Sequence, residues 1–251
     1  MAFDAANSLG NGFKLMFSFD YAGRGSFGAD EVIGLINQYK IHPACFYRGS
    51  QPLVSTFEGP SKADDWPGIK AATGCFFIPS WSSYGAKKAV AAGGGTADGL
   101  FSWAGWPTGA NDMFTTVDES YYDFLGGKAY MMPVSPWFYA NMPGYRKNWI
   151  WRGDDLWFDR WQQVHSIEHQ PDYLEIITWN DWGECHYIGP LRPNEYHAFA
   201  KENGNAPFNY AIGYPHDGWR EFLPYLIDTY KFGSAPITKV CYRTCSNHYL
   251  S

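Results

Sequence analysis

Phe13-Lys-Leu-Met-Phe-Ser-Phe-Asp20, a Gly-rich loop, and then Ala29-Asp-Glu-Val-Ile-Gly-Leu-Ile-Asn-Gln-Tyr39 form the stretch on which the fold turns. The first segment is short, apolar and aromatic, the composition of a buried strand, and it stops at an acid. The second spaces its apolar residues at helical intervals. Strand, acid, loop and helix make one βα unit.

The unit recurs down the chain. Pro52-Leu-Val-Ser-Thr-Phe-Glu58 precedes a helical pattern from Asp65, and Cys75-Phe-Phe-Ile-Pro-Ser-Trp81 precedes one from Ala86. Leu100-Phe-Ser-Trp-Ala-Gly-Trp106 leads to the helix Val117–Leu125, closed by Gly126-Gly127. Ala129-Tyr-Met-Met-Pro-Val-Ser135 runs into a long aromatic loop, 136–151. A helix from Asp154, its expected cap, follows, and then Glu175-Ile-Ile-Thr-Trp-Asn-Asp-Trp-Gly-Glu184, a strand that ends abruptly at Asn180. After a polar and aromatic excursion over 185–217, Trp219–Tyr230 reads as a last helix, kinked or started at Pro224. In the other direction, the segment ending Asn11-Gly12 reads as the last turn of a helix with its Gly stop.

Six such units recur at about 25 to 40 residues, the size of a βα repeat. Alternating units imply a parallel sheet. An open doubly wound sheet binds ligand at one switch point, usually with a Gly-rich phosphate turn after its first strand. Here functional-looking side chains stand at the end of nearly every strand, which points to a (β/α)8 barrel of the TIM type. Such a barrel needs eight units, so the expectation is one lacking the first two βα units, with residues 1–238 as barrel and 239–251 as an irregular tail.

At 251 residues the chain suffices for one large domain. Its net charge of -6, without a Lys/Arg run, argues against nucleic acid and anionic membrane as partners. Aromatics are 19% of the residues, more than a core needs, which favours a surface of flat apolar faces meeting a neutral ligand. Five cysteines without C-x-x-C spacing leave a thiol unpaired within the chain and argue against zinc. The first residues have no basic and apolar leader pattern, and no window reads as a membrane span.

Four acids fall at strand ends: Asp20, Glu58, Asp181 and Glu184. Any one alone could be a helix cap or loop anchor. Together, amid aromatics, they fit glycoside cleavage, which needs one carboxylic acid to protonate the leaving oxygen and one carboxylate to activate water or attack carbon. The sequence holds no G-x-S-x-G elbow, no G-x-x-x-x-G-K loop and no H-E-x-x-H. Trp157 and Trp161 read as core; Trp81, Trp106, Trp137, Tyr139 and Trp182 read as sugar platforms.

Four ordered motifs, Phe13–Asp20, Pro52–Gly59, Gly74–Trp81 and Thr178-Trp-Asn-Asp-Trp-Gly-Glu-Cys-His-Tyr-Ile-Gly-Pro190, resemble the fungal endo-α-1,3-glucanases, the mutanase family. That resemblance implies a (β/α)8 catalytic domain, secretion to the exterior or cell wall, and inverting hydrolysis of α-1,3-glucan without metal or organic cofactor. It makes Asp181 and Glu184 the catalytic pair. Between them Glu184 reads as the acid, because His186 and Tyr187 lie beside it, and Asp181 as the base; the exchanged roles stay open, with Asp20 or Glu58 as the alternative to either. Asp20 and Glu58 would line the subsites together with Trp179, Asn180, Trp182, His186 and Tyr187. A monomer is expected.

Overall fold

The computed structural model describes residues 1–237 apart from Arg24; the expected tail, with Cys241 and Cys245, lies outside the described residues. In chain order the elements are α1 (Ala2–Ser8), β1 (Phe17–Asp20), α2 (Ala29–Tyr39), β2 (Tyr47–Arg48), β3 (Gln51–Phe57), α3 (Trp66–Thr73), β4 (Phe76–Ser80), α4 (Gly85–Gly93), β5 (Gly99–Phe101), α5 (Thr116–Leu125), β6 (Ala129–Val134), β7 (Tyr139–Met142), β8 (Lys147–Ile150), α6 (Leu156–Ser166), β9 (Tyr173–Ile176), α7 (Asp217–Glu221) and α8 (Leu223–Phe232).

The main sheet runs β1-β3-β4-β5-β6-β9, every neighbouring pair parallel, with β2 folded antiparallel onto the start of β3. Successive side chains point to opposite faces of a strand. Val54, Phe77, Leu100, Tyr130, Met132 and Ile176 face a layer of helices. Leu53, Ile78, Phe101, Met131 and Ile177 form a second cluster on the other face. A sheet buried on both faces is what parallel βα architecture requires, and it explains why these strands read as continuous apolar runs.

The helices bury residues three and four apart, one stripe facing the sheet: Val32 and Ile36 of α2, Ala86 and Ala89 of α4, and Trp157, Trp161 and Val164 of α6. Between α5 and α6 lies a charge pair with no exposed surface. Arg160 donates to both Asp118 carboxylate oxygens, at 2.7 and 2.9 Å, and to the Pro133 carbonyl at 2.9 Å. Tyr130 donates to the same Asp118 at 2.7 Å.

At the N-terminal end of the strands Arg48 spans the sheet. Its guanidinium lies 4.8 Å from the Phe76 ring and 5.6 Å from the Tyr173 ring, and donates to Asp172 at 3.0 Å. On β9, Glu175 alternates onto the same inner face as Tyr173 and Ile177. Burial pushes its carboxyl up from 4.5 to about 7.

The six expected units are present, and among the described residues they form an open arc whose end strands are β1 and β9. Two local expectations are corrected. Residues 136–151 hold an antiparallel hairpin, β7 and β8, rather than a loop. The cap position of α6 is Asp155, whose side chain makes no capping bond, rather than Asp154. The last helix starts at Pro224 as expected: α8 begins at Leu223 with Pro224 in its first turn, where its missing N–H is tolerated, and the short helix α7 precedes it. Cys45, Cys75 and Cys185 are buried free thiols.

Candidate active site

Beyond β9 the chain leaves the sheet and closes a loop on itself. Thr178 N–H donates to the His186 carbonyl at 2.9 Å, Ile188 N–H to Thr178 at 2.9 Å, and Gly189 N–H to Trp179 at 2.7 Å. Only glycine fits at 189, because a Cβ would stand 2.3 Å from the Trp179 carbonyl oxygen. The loop's inside is wired as well: Asp181 N–H donates to Thr178 Oγ1 at 2.9 Å, and Glu184 N–H donates to Asp181 Oδ1 at 2.9 Å. Two acids three residues apart are thereby turned toward each other.

His186, 1% exposed, sits against both. Its Nε2 is 2.9 Å from Glu184 Oε2 and 3.9 Å from Asp181 Oδ2, and its Nδ1 is 3.1 Å from Thr178 Oγ1. The imidazole thus bridges the Thr178 hydroxyl, which also accepts the Asp181 N–H, and the Glu184 carboxylate. Trp106 stacks on the His186 ring at 5.1 Å and on Phe138 at 4.5 Å, fixing the imidazole from one face. Lys147 of β8 reaches in from the hairpin and donates to Glu184 Oε1.

These contacts drive the two carboxyls apart. Burial raises Asp181, Glu184 nearby adds to the rise, and His186, the Glu184 N–H and Lys147 oppose it; the net direction is up. Its side chain is still 42% exposed, so solvent screens the effect. For Glu184, 11% exposed, burial pushes upward too, but the hydrogen bond and charge of His186 and the Lys147 ammonium outweigh it, and the carboxyl is held below its ordinary value. A pair with separated proton affinities is the arrangement acid–base chemistry needs.

Asp181, Glu184 and His186 offer ligand atoms within 4.8 Å of one another, a donor set that could hold a cation. Lys147 already supplies positive charge at Glu184, so a dication there would face an ammonium.

The other expected site residues divide. Asn180, Asp181 and Trp182 line a cleft of about 480 Å³ with residues 195–199. Trp179 is 56% exposed beside it in sequence, with Arg220 over its ring at 5.8 Å. Tyr139, half-buried, donates its N–H to the Glu184 carbonyl and packs edge-on against Tyr210. Trp137 instead lines a larger cavity, about 830 Å³, with His216, Trp219 and Phe222, which does not include the two acids.

Two expected platforms, Trp81 and Trp182, and the expected subsite residue Tyr187 are buried, although Trp182 borders the cleft. Trp81 is 1% exposed in the helix-facing cluster. Trp182 and Tyr187 are buried with Phe199 and Ala211 under the 185–217 excursion, where Tyr187 donates to the Tyr214 carbonyl and stacks on His216. Asp20 and Glu58 stand on the same C-terminal edge of the sheet but at the strands farthest in order from β9. Asp20 accepts the N–H groups of Ala22 and Gly23, and Glu58 accepts from the N–H and hydroxyl of Ser83, so both carboxylates anchor loops. Lys147 was not among the expected residues; the Pro143-Gly144 turn between two alternating runs was the available signal.

A parallel α/β sheet with two carboxyls of unequal proton affinity beyond the C-terminal end of a strand is an arrangement that acid–base cleavage of glycosides uses. The chain belongs to glycosyl hydrolase family 71, whose sequence model matches residues 1–246. It is 37% identical over 242 residues to a mutanase of Penicillium rubens, Pc12g07500, covering 93% of this chain and 51% of that one. It is 36% identical over 247 residues to the glucan endo-1,3-alpha-glucosidase agn1 of Schizosaccharomyces pombe, covering 92% and 54%. The chain thus spans about half the length of these relatives. In fold it is similar to the GH99 endo-alpha-mannosidase from Bacteroides thetaiotaomicron, with a TM-score of 0.61 at 16% identity over 91% of this chain and 69% of that one.

Proposed function

We propose that the chain carries the catalytic loop of an α-1,3-glucan hydrolase, with Asp181 and Glu184 as the reacting pair. The observation behind this is the divided pair itself: one carboxyl raised and facing a cleft, the other lowered and held by a histidine and a lysine. The substrate follows from the named activities of the relatives. The charge pattern favours the reverse of the roles expected from sequence, with Asp181 retaining the proton for the leaving oxygen and Glu184 ionised to act on water or carbon. Asn180 and the exposed Trp179 offer polar and stacking contacts to a sugar; Trp106 and Tyr139 act from beneath.

Inversion is the outcome the family resemblance implies. Retention is the second reading, favoured by one observation: the two carboxyls present oxygens within 4.8 Å, whereas an inverting pair leaves about 6.5–9.5 Å for water. NMR of the first product separates them, an initial β-anomer meaning inversion and an initial α-anomer retention.

Closure of the sheet into an eight-stranded barrel, a monomeric state and an extracellular or cell-wall location belong to the same proposal and rest on the family. Among the described residues no helix is long and apolar enough to cross a membrane. The test of the core claim is the release of reducing ends from insoluble α-1,3-glucan by the chain and by Asp181→Asn and Glu184→Gln. Full activity in both variants would remove the assignment.

A further inference from the structure

We propose that Lys147 is a positioning residue for this reaction: carried on the β7–β8 hairpin, its ammonium holds the Glu184 carboxylate charged and in a single orientation. This rests on the reading of Glu184 as a reacting group, and it assigns a task to an element outside the catalytic loop.

The geometry comes from two independent fastenings. Lys147 and His186 take different oxygens of Glu184, Lys147 on Oε1 and His186 on Oε2, so the carboxylate cannot rotate without losing a donor. The hairpin that carries Lys147 is itself locked to the loop. Tyr139 N–H donates to the Glu184 carbonyl, while the Tyr210 hydroxyl donates to the Gly183 carbonyl at 2.7 Å and accepts the Asn141 N–H at 3.1 Å. Met142, the register partner of Lys147, closes over Gly183 so tightly that a Cβ there would lie 2.9 Å from its sulfur. Backbone, ring and glycine contact therefore set the ammonium's distance from the acid.

The ionisable groups around Glu184 are Asp181, Cys185 and His186 of its own loop, Lys147 of β8, and Tyr139 and Tyr210 beyond. The Cys185 thiol is pushed up to about 12 by burial, and burial raises the Tyr210 hydroxyl as well, so both stay neutral across the working range. Lys147 is thus the charge that does not depend on the loop's own proton distribution.

Two readouts test this on the whole chain. In the first, the Glu184 side-chain carboxyl is titrated by carbon NMR, its signal assigned by loss in Glu184→Gln, in wild type, Lys147→Met and Lys147→Arg. Removing a contacting opposite charge moves a carboxyl titration up by about one pH unit or more, so Lys147→Met titrates higher and Lys147→Arg stays near wild type. The second is the pH–rate profile on soluble α-1,3-glucan oligosaccharides: the acid limb of Lys147→Met moves upward, kcat on that limb falls about tenfold, and KM changes less than about twofold. Lys147→Arg, which keeps the charge and the fold, guards against misreading a packing defect.

A Glu184 titration unmoved in Lys147→Met overturns the inference, whatever the rates do. Full activity in Glu184→Gln overturns the functional reading instead, and leaves the titration result standing as electrostatics without catalysis.

Discussion

Two charge clusters in this molecule are built from the same materials and behave differently. Around Asp118, Arg160 gives a bidentate pair, Tyr130 adds a third donor, and no part of either charged side chain meets solvent. Around Glu184, Lys147 and His186 each take one oxygen, a second acid stands within reach of the same imidazole, and Asp181 keeps an open face. The first cluster is saturated; in the second, two acids share one imidazole, and Asp181 stays open to solvent. Saturation makes structure, and a shortfall of donors at an open face makes chemistry.

The sharpest way to break the comparison is at the mouth. Glu184→Gln and Asp181→Asn each lower kcat by on the order of 10²–10⁴ with unfolding midpoints near wild type, checked by rate assays beside thermal denaturation. Arg160→Ala does the opposite, costing about 3–5 kcal/mol of stability by stranding Asp118, measured by urea unfolding. Replacing both partners by leucine restores most of that loss, since a buried pair is often worth no more than an apolar one.

Glu175 supplies a third kind of carboxyl, half-buried on one sheet face, with its pKa raised to about 7. The folded state holds this proton more tightly than the unfolded chain, so the associated stability is complete below about pH 4.5 and declines as pH rises toward 7. Glu175→Gln removes that slope, a gain on the order of 2–3 kcal/mol above pH 7, read from denaturant midpoints against pH. Smaller effects belong to the loop anchors: Glu58→Gln and Asp20→Asn cost about 1 kcal/mol each and leave kcat within about threefold. Chelation by EDTA leaves the rate unchanged, because Lys147 supplies the positive charge at Glu184.

Much of the fold was legible because it depends on local pattern. α2 runs over the same residues, Ala29–Tyr39, that its apolar spacing marks, and six strands fall where apolar runs end in polar or aromatic residues. The two acids after β9 were legible because they stand three positions apart in sequence and close in space. What sequence could not show was direction and distance. Trp81 follows a strand end, but position on the chain does not say whether a ring faces the mouth or the helices, and it faces the helices. Trp182 and Tyr187 lie in a loop, yet the excursion after them folds back and gives them a core of their own. Lys147 meets Glu184 across 37 residues of chain, a contact no local spacing encodes.

Arg48 fixes something about the sheet that no strand pairing states. Neighbouring strands lie about 4.8 Å apart, so β4 and β9, three places apart in order, would stand about 14 Å from each other in a flat sheet. One guanidinium nonetheless lies 4.8 Å from a ring on β4 and 5.6 Å from a ring on β9, so the chord between those rings is shorter than the path along the strands. That cation is a gauge of curvature. It draws the arc together at the N-terminal ends of the strands, and the two acids stand beyond the opposite ends.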